Sequence, residues 1–263
     1  MNKRSLIDNR RHPACWSRIL LAFCGMLAAV SAETLYEQRF NDDTDIQFLK
    51  GAEAGPAGSG VSGKAADKAY TADTNSAPNA VAVISPTHNT MEADELTVTA
   101  WYKPRADIAG GTTLFCAFGT VLMWDGNSHG WIWRVETSIA EPGVNQSPYW
   151  FGTGKSPQSD WGISGDWTFI ALVWKRDGSW VGFYQGDKNS PASLVRETTR
   201  AGEVLPLKIE GNTNFTIGND KNKADRVFNG EIDNVRFFTK ALDADAIEKI
   251  RGADLKNEEI KIP

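Results

Sequence analysis

Histidine and cysteine are scarce: the 263-residue chain holds three of each. That excludes a disulfide-dense scaffold and leaves too few imidazoles for most histidine-based metal catalysis. Neither His-Glu-x-x-His nor Cys-x-x-Cys occurs. No apolar run reaches the roughly 20 residues that a membrane-spanning helix needs. Positive charge is in deficit, with 28 Lys and Arg against 33 Asp and Glu, so nucleic acid is not the expected partner. What is abundant is glycine, at 24, and tryptophan, at ten, nearly as many as the 12 phenylalanines. The composition is that of a folded, aromatic-rich globular protein.

The first 32 residues read differently from the rest. Lys3, Arg4, Arg10, Arg11 and Arg18 make a basic start, Ile19 to Val30 is a continuous apolar run, and Val30-Ser31-Ala32 supplies small residues for a cleavage site. This is the tripartite pattern of a secretory signal peptide, 1–32, and it predicts a secreted, periplasmic or cell-surface protein with no membrane span once cleaved. Cleavage removes five basic residues and one acidic one, making the mature chain more acidic still. It also removes Cys15 and Cys24, leaving Cys116 alone in the apolar run Leu114 to Phe118. A lone Cys between apolar neighbours is a small buried hydrophobe rather than a reactive thiol.

Beyond a Gly-rich loop at 51–63, short β-type runs recur with turn signals between them. Leu96 to Tyr102 alternates and stops at Pro104. Trp167 to Trp174 is apolar on both faces, as a strand covered on both sides must be, and breaks at Lys175-Arg176-Asp177-Gly178, a hairpin signal. Near the C-terminus, Phe228, Gly230 and Ile232 share one parity, whereas Val235 and Phe237 share the other. Two apolar sets out of phase in one strand predict a bulge at Asp233-Asn234 that re-aims Asp233. One helix is predicted, capped by Asp243, striped by Ala246, Ile247 and Ile250, and stopped at Gly252. The expected organisation is signal peptide 1–32, one domain 33–252, and a charged tail 253–263 that frays.

The run Phe228-Asn229-Gly230-Glu231-Ile232-Asp233-Asn234-Val235-Arg236-Phe237-Phe238, followed by Lys240-Ala241-Leu242 and Ala246-Ile247, resembles the closing signature of laminin-G-like domains in the concanavalin A-like lectin/glucanase superfamily. Leu96 to Pro104, Trp167 to Trp174 and Phe215 to Asn219 resemble other strands of that family in order and spacing, so the likeness spans roughly residues 34–251. It implies an all-β, two-sheet antiparallel jelly-roll sandwich with one short C-terminal helix. It leaves function open among sugar-binding modules, adhesion modules, and glycoside hydrolases or lyases.

Catalytic patterns fail on their residues. Glu231-Ile232-Asp233 resembles the start of the Glu-x-Asp-x-x-Glu strand of laminarinase-type glucanases, but Arg236 stands at the third place. Gly126-Asn127-Ser128-His129-Gly130 has the letters of a nucleophile elbow without a following helix or a later His. The expectation is therefore no catalytic residue, and a module that binds carbohydrate or a cell-surface partner. Resemblance further implies a structural calcium between first and last strands, with Asp233 facing Asn41 or Asp42 and a backbone carbonyl from Gly63 or its neighbours; an exported protein meets that ion at useful concentration. For the ligand, Trp124, Asp125, Asn127, Trp150 and Trp161 are the candidates. Flat aromatics at strand–loop junctions stack on sugar faces while Asp and Asn take the hydroxyls. The cleavage site carries its own test: N-terminal sequencing of exported protein is expected to begin at Glu33, and an intact Met1 in the exported pool would refute it.

Overall fold

Wherever the sequence alternates, or is apolar on both faces, the backbone pairs into antiparallel sheet. The computed structural model describes residues 34–260, apart from 42–45, 74–77, 86–88, 106–107, 109, 118–119, 126–129, 136–148, 153–164, 178–179, 200–205, 212 and 221–224. These all belong to one unit, Ser31–Pro263. The strands are β1 (Thr34–Gln38), β2 (Ile46–Leu49), β3 (Glu53–Ala54), β4 (Tyr70–Ala72), β5 (Val81–Ile84), β6 (Met91–Ala93), β7 (Glu95–Pro104), β8 (Thr113–Ala117) and β9 (Thr120–Asp125). There follow β10 (Gly130–Val135), β11 (Tyr149–Gly152), β12 (Thr168–Lys175), β13 (Trp180–Asp187), β14 (Ser193–Thr199), β15 (Leu207–Ile209), β16 (Phe215–Ile217), β17 (Gly230–Phe238) and the helix α1 (Ala244–Asp254).

One sheet has eight strands in the order β14-β13-β12-β7-β17-β4-β3, with β1 also paired to β17. The second has seven, in the order β11-β10-β9-β8-β16-β5-β2, and β6 with β15 forms a small pair. The fold is the all-β sandwich that the sequence implied. Its main core lies between the sheets: Leu96, Val98, Ala100 and Tyr102 of β7 and Ile170, Leu172 and Trp174 of β12 meet Phe115, Leu122, Trp131 and Trp133. The opposite parity of the same strands is also buried. Trp101, Phe169, Ala171 and Val173 pack with Ile247 and Ile250 of α1 in a second cluster. So β12 is covered on both faces, because α1 roofs the outer side of the eight-stranded sheet. Cys116 is buried, as its flanks predicted.

The phase error in β17 is resolved by a bulge. Pairing with β7 slips between Asp233 and Arg236, and Asn234 takes φ +49°, a left-handed conformation that Asn tolerates better than most residues. The slip lets Ile232, Val235 and Phe237 all reach the main core. It also turns Arg236 outward under α1, where it is 1% exposed. Its guanidinium meets Glu37 of β1 at 2.8 Å and Asp254 of α1 at 2.7 Å. Asp254, wholly buried, also accepts the Trp101 indole N–H at 2.9 Å. Burial pushes the Asp254 carboxyl above its ordinary value, and Arg236 opposes that shift.

The helix begins as expected, with Asp243 Oδ1 accepting the Ala246 N–H at 2.8 Å. Its end differs. Gly252 lies inside α1, which continues to Asp254. A glycine within a helix costs only about 1 kcal/mol relative to Ala, less than the buried contacts of Asp254 return. The described part of the segment expected to fray, 253–260, is held in place: the amides of Lys256 and Glu258 donate to the Ala253 carbonyl at 3.0 Å, and Ile260 packs against the second cluster. Replacing Arg236 by Met leaves Asp254 buried without its cation. A loss of about 3–5 kcal/mol is expected from chemical denaturation, and an unchanged midpoint would show that this ion pair does not hold the helix.

Candidate functional site

Two buried carboxylates meet beneath the Gly-rich loop. Asp67 and Asp233 are both wholly buried. The loop is wound around Asp67: its carbonyl accepts the Gly58 and Gly60 amides at 3.0 and 3.1 Å, and its Oδ2 accepts the Ser62 N–H at 2.8 Å. Gly58 has φ +80°, and a Cβ on Gly60 would lie 2.4 Å from the Asp67 carboxyl carbon, so the winding requires both glycines. The neighbouring Val61 amide donates to Asp233 Oδ2 at 2.8 Å, and Asn234 N–H donates to Asp233 Oδ1 at 2.7 Å. Successive amides of one loop thus fasten one carboxylate each. Burial raises the Asp233 pKa well above its ordinary value, and the negative charge of Asp67 adds to the shift.

Asp67 Oδ1 is buried without a hydrogen-bond partner. An orphaned carboxylate oxygen beside a second buried carboxyl offers oxygen donors of the kind a hard cation such as calcium takes. Among the described residues no third His, Cys, Asp or Glu joins them, so further ligands would be neutral oxygens such as backbone carbonyls. Asn41, expected as a ligand, uses its Oδ1 to accept the Lys68 N–H at 2.8 Å and points its Nδ2 to Asn257 at 3.4 Å. It anchors the chain next to Asp67. Asp42 lies outside the described residues. Asp67 itself escaped sequence reasoning; the available signal was a single Asp closing a loop of repeated glycines.

The same loop walls a cleft of about 1000 Å³ on the outer face of the eight-stranded sheet, beside the area that α1 covers. Lys103 of β7 and Glu231 of β17 are cross-strand partners there, 3.1 Å apart, and Arg105 reaches the other Glu231 oxygen at 4.0 Å. Trp167, 6% exposed, has the Lys103 ammonium 5.9 Å from its ring centroid. The opposite wall is the β13–β14 hairpin, which contributes Gln185, Lys188 and Asn189. Asp187 Oδ1 accepts the Asn189 and Ser190 amides at 2.6 Å, and Arg251 of α1 donates to the Asp187 carbonyl at 2.6 Å. The wall is therefore braced from within and from the helix. Its lining is mostly hydroxyl, amide, ammonium and carboxylate, the groups that exchange hydrogen bonds with a polyol.

Two of the aromatic candidates, Trp124 and Trp150, fall elsewhere, on the β9–β10–β11 end of the other sheet. Trp124 was expected to be exposed, and the structure corrects this: it is 6% exposed and packs edge-on against Trp131 at 5.4 Å. Trp131 in turn donates its indole N–H to the Tyr102 hydroxyl at 3.0 Å, and Trp133 is wholly buried. Alternation paired Trp131 with Trp133 on one face, and that face is the core. Asp125 closes β9 opposite Gly130, and Trp150 lies on β11 opposite Arg134. The side chains of Asp125 and Trp150 lie outside the described residues, as do Asn127 and Trp161 entirely.

Residues 75–248, well over half of the chain, match a laminin-G-like family described as the concanavalin A-like lectin/glucanases superfamily, and the chain belongs to that family. No curated protein matches it. Among solved structures it is similar to domain 4 of AbnA, an extracellular arabinanase from Geobacillus stearothermophilus, in complex with arabinotriose. There the TM-score is 0.49 at 17% identity, over 84% of this chain and 98% of that one. The receptor-binding domain of botulinum neurotoxin type G gives a TM-score of 0.50 at 11% identity, over 82% of this chain and 50% of that one. A marine alginate lyase from Aplysia kurodai gives 0.48 at 10% identity, over 78% and 99%. The likeness to the receptor-binding domain shows a shared fold and nothing more. No helix among the described residues is long and apolar enough to cross a membrane.

Buried as it is, Trp124 belongs with the core. Trp124→Ala is expected to cost about 3–5 kcal/mol in a urea melt. A stability loss near zero, with ligand binding impaired, would return Trp124 to the surface.

Proposed function

We propose that this protein is an exported, non-catalytic module that binds carbohydrate or a glycan-bearing surface in the cleft on the outer face of its eight-stranded sheet. The carrying observation is the cleft itself. About 1000 Å³ is the upper end of small-ligand sites, and its walls present donors and acceptors on rigid, internally bonded segments. The basic, apolar and small-residue segments of the N-terminus support export, and the family is one of lectins as well as glucanases.

Glu231 supports the non-catalytic reading. A glycosidase needs two carboxyl groups facing the scissile bond, one protonated as acid. Glu231 is held by Lys103 and Arg105 instead, and the third place of the glucanase pattern is the buried Arg236, committed to Glu37 and Asp254. A structural calcium fits Asp67 and Asp233. When bound there it supplies positive charge to two buried carboxylates and so secures the loop that walls the cleft.

A glycan array probed with the mature protein, with and without EDTA, tests this function. Binding without polysaccharide turnover is expected. Turnover would establish a glycoside hydrolase or lyase, and silence across the array would leave a structural adhesion domain. Calcium is expected to raise the melting temperature by ligand linkage, with the gain abolished in Asp67→Asn and Asp233→Asn. A melting curve indifferent to calcium and EDTA removes the ion from both residues.

A further inference from the structure

The cleft is not evenly charged once its internal pairs are set aside. Glu231 is matched by Lys103 and Arg105. Asp187 is engaged by the turn amides of its own hairpin, and the positive charge acting on it is that of Arg251. That leaves Asp166, exposed beside Trp167, and Lys188, at the hairpin tip on the facing wall.

Lys188 is placed unusually for a hairpin-tip lysine. The sequence around it, Gly186-Asp187-Lys188-Asn189-Ser190, could project into solvent. The hairpin base instead approaches α1, where a Cβ on Gly186 would come within 3.0 Å of the Arg251 side chain, and the bond from Arg251 to the Asp187 carbonyl fixes its direction. The tip thereby lines the cleft while its side chains stay exposed. The Lys188 ammonium is partly desolvated there and lies near enough to Lys103 for the two charges to repel, which lowers its pKa. Its attractive neighbours, Asp67, Asp166 and Asp233, act through space. Calcium between Asp67 and Asp233 would cancel two of those three attractions.

Two ammonium groups on facing walls of one cleft, one of them without a short-range counter-ion among the described residues, are arranged to receive an anion. We propose that this cleft selects an acidic sugar unit, one bearing a carboxylate or a sulfate, with its negative group between Lys188 and Lys103 and its hydroxyls on Asp166, Gln185 and Asn189. This rests on the glycan-binding reading and names its ligand class. Lys188 serves as the discriminating contact. Lys103 remains shared with Glu231 and sets the position of the anion.

Isothermal titration with galacturonate tetrasaccharide and its methyl ester isolates the charge at nearly constant shape. A sulfated galactose tetrasaccharide and its unsulfated form make the second pair. The acidic member of at least one pair is expected to bind about tenfold or more tightly than its neutral partner, and the pair that shows this identifies carboxylate or sulfate as the source. In Lys188→Gln the advantage should vanish, and in Lys188→Arg it should return, with the melting temperature unchanged in both. Equal binding of acidic and neutral members, or an advantage that survives Lys188→Gln, overturns the selectivity while leaving a glycan-binding module. Failure of all four probes, together with silence on the neutral array, overturns the module reading as well.

Discussion

The buried guanidinium of Arg236 organises the outer side of the eight-stranded sheet. Arg236 sits inside the protein at 1% exposure, where an unpaired charge would be prohibitively unfavourable, so its guanidinium dictates what surrounds it. It draws Glu37 from the first strand and Asp254 from the last turn of the helix, and Asp254 takes the Trp101 indole N–H. First strand, last strand and helix are thus joined at one point. The bulge at Asp233-Asn234 is what brings Arg236 to that side. Without the slip, a strand placing Ile232 in the main core would place Val235 outside it.

The same bulge controls the acid pair. Asp233 is turned toward the Gly-rich loop and accepts the Val61 amide there, while the next amide goes to Asp67. One backbone irregularity therefore does two things: it sets the cation that locks the helix and the carboxylate that fastens the loop. The positions differ from the glucanase pattern at one residue, and the difference has a structural consequence. A carboxylate at 236 would face Asp254 and Glu37, three negative charges in a closed space, so the helix could not dock as it does.

Much of this was legible in the sequence where the signal is local. Strand alternation, the both-sided burial of β12, the hairpin after Lys175, the Asp243 cap and the bulge all follow from periodicity within one short segment. What was not legible depends on facing. Alternation put Trp131 and Trp133 on a common side without saying which side, and Trp124 pairs with Trp131 across the hairpin, so all three go inward together. The helix end was misplaced because Gly252 is a local stop signal, whereas Asp254 is held by Arg236 and Trp101, residues far away in sequence. Asp67 was missed for a similar reason: its loop has glycine but no period, and its partner is more than 160 residues on. The cleft is assembled from the Gly-rich loop, β7, the approach to β12, the β13–β14 hairpin and β17, and no window of sequence contains it.

The outer face of the eight-stranded sheet is thereby divided by chemistry. Where side chains are apolar, at Trp101, Phe169, Ala171 and Val173, the helix lies down and water is excluded. Where β7 and β17 carry Lys103 and Glu231, one residue past Tyr102 and one before Ile232, no apolar stripe could cover them without stranding charge. The helix consequently leaves that end open, and Arg251 and Glu248 on its flank brace the hairpin that forms the far wall: Glu248 accepts the Ala192 N–H at 2.8 Å and Arg251 reaches the Asp187 carbonyl. The cleft is thus a consequence of where the second core stops. Its depth is set by the helix on one side and by the loop fastened to Asp67 and Asp233 on the other, so the elements that stabilise the fold are also those that shape its binding surface.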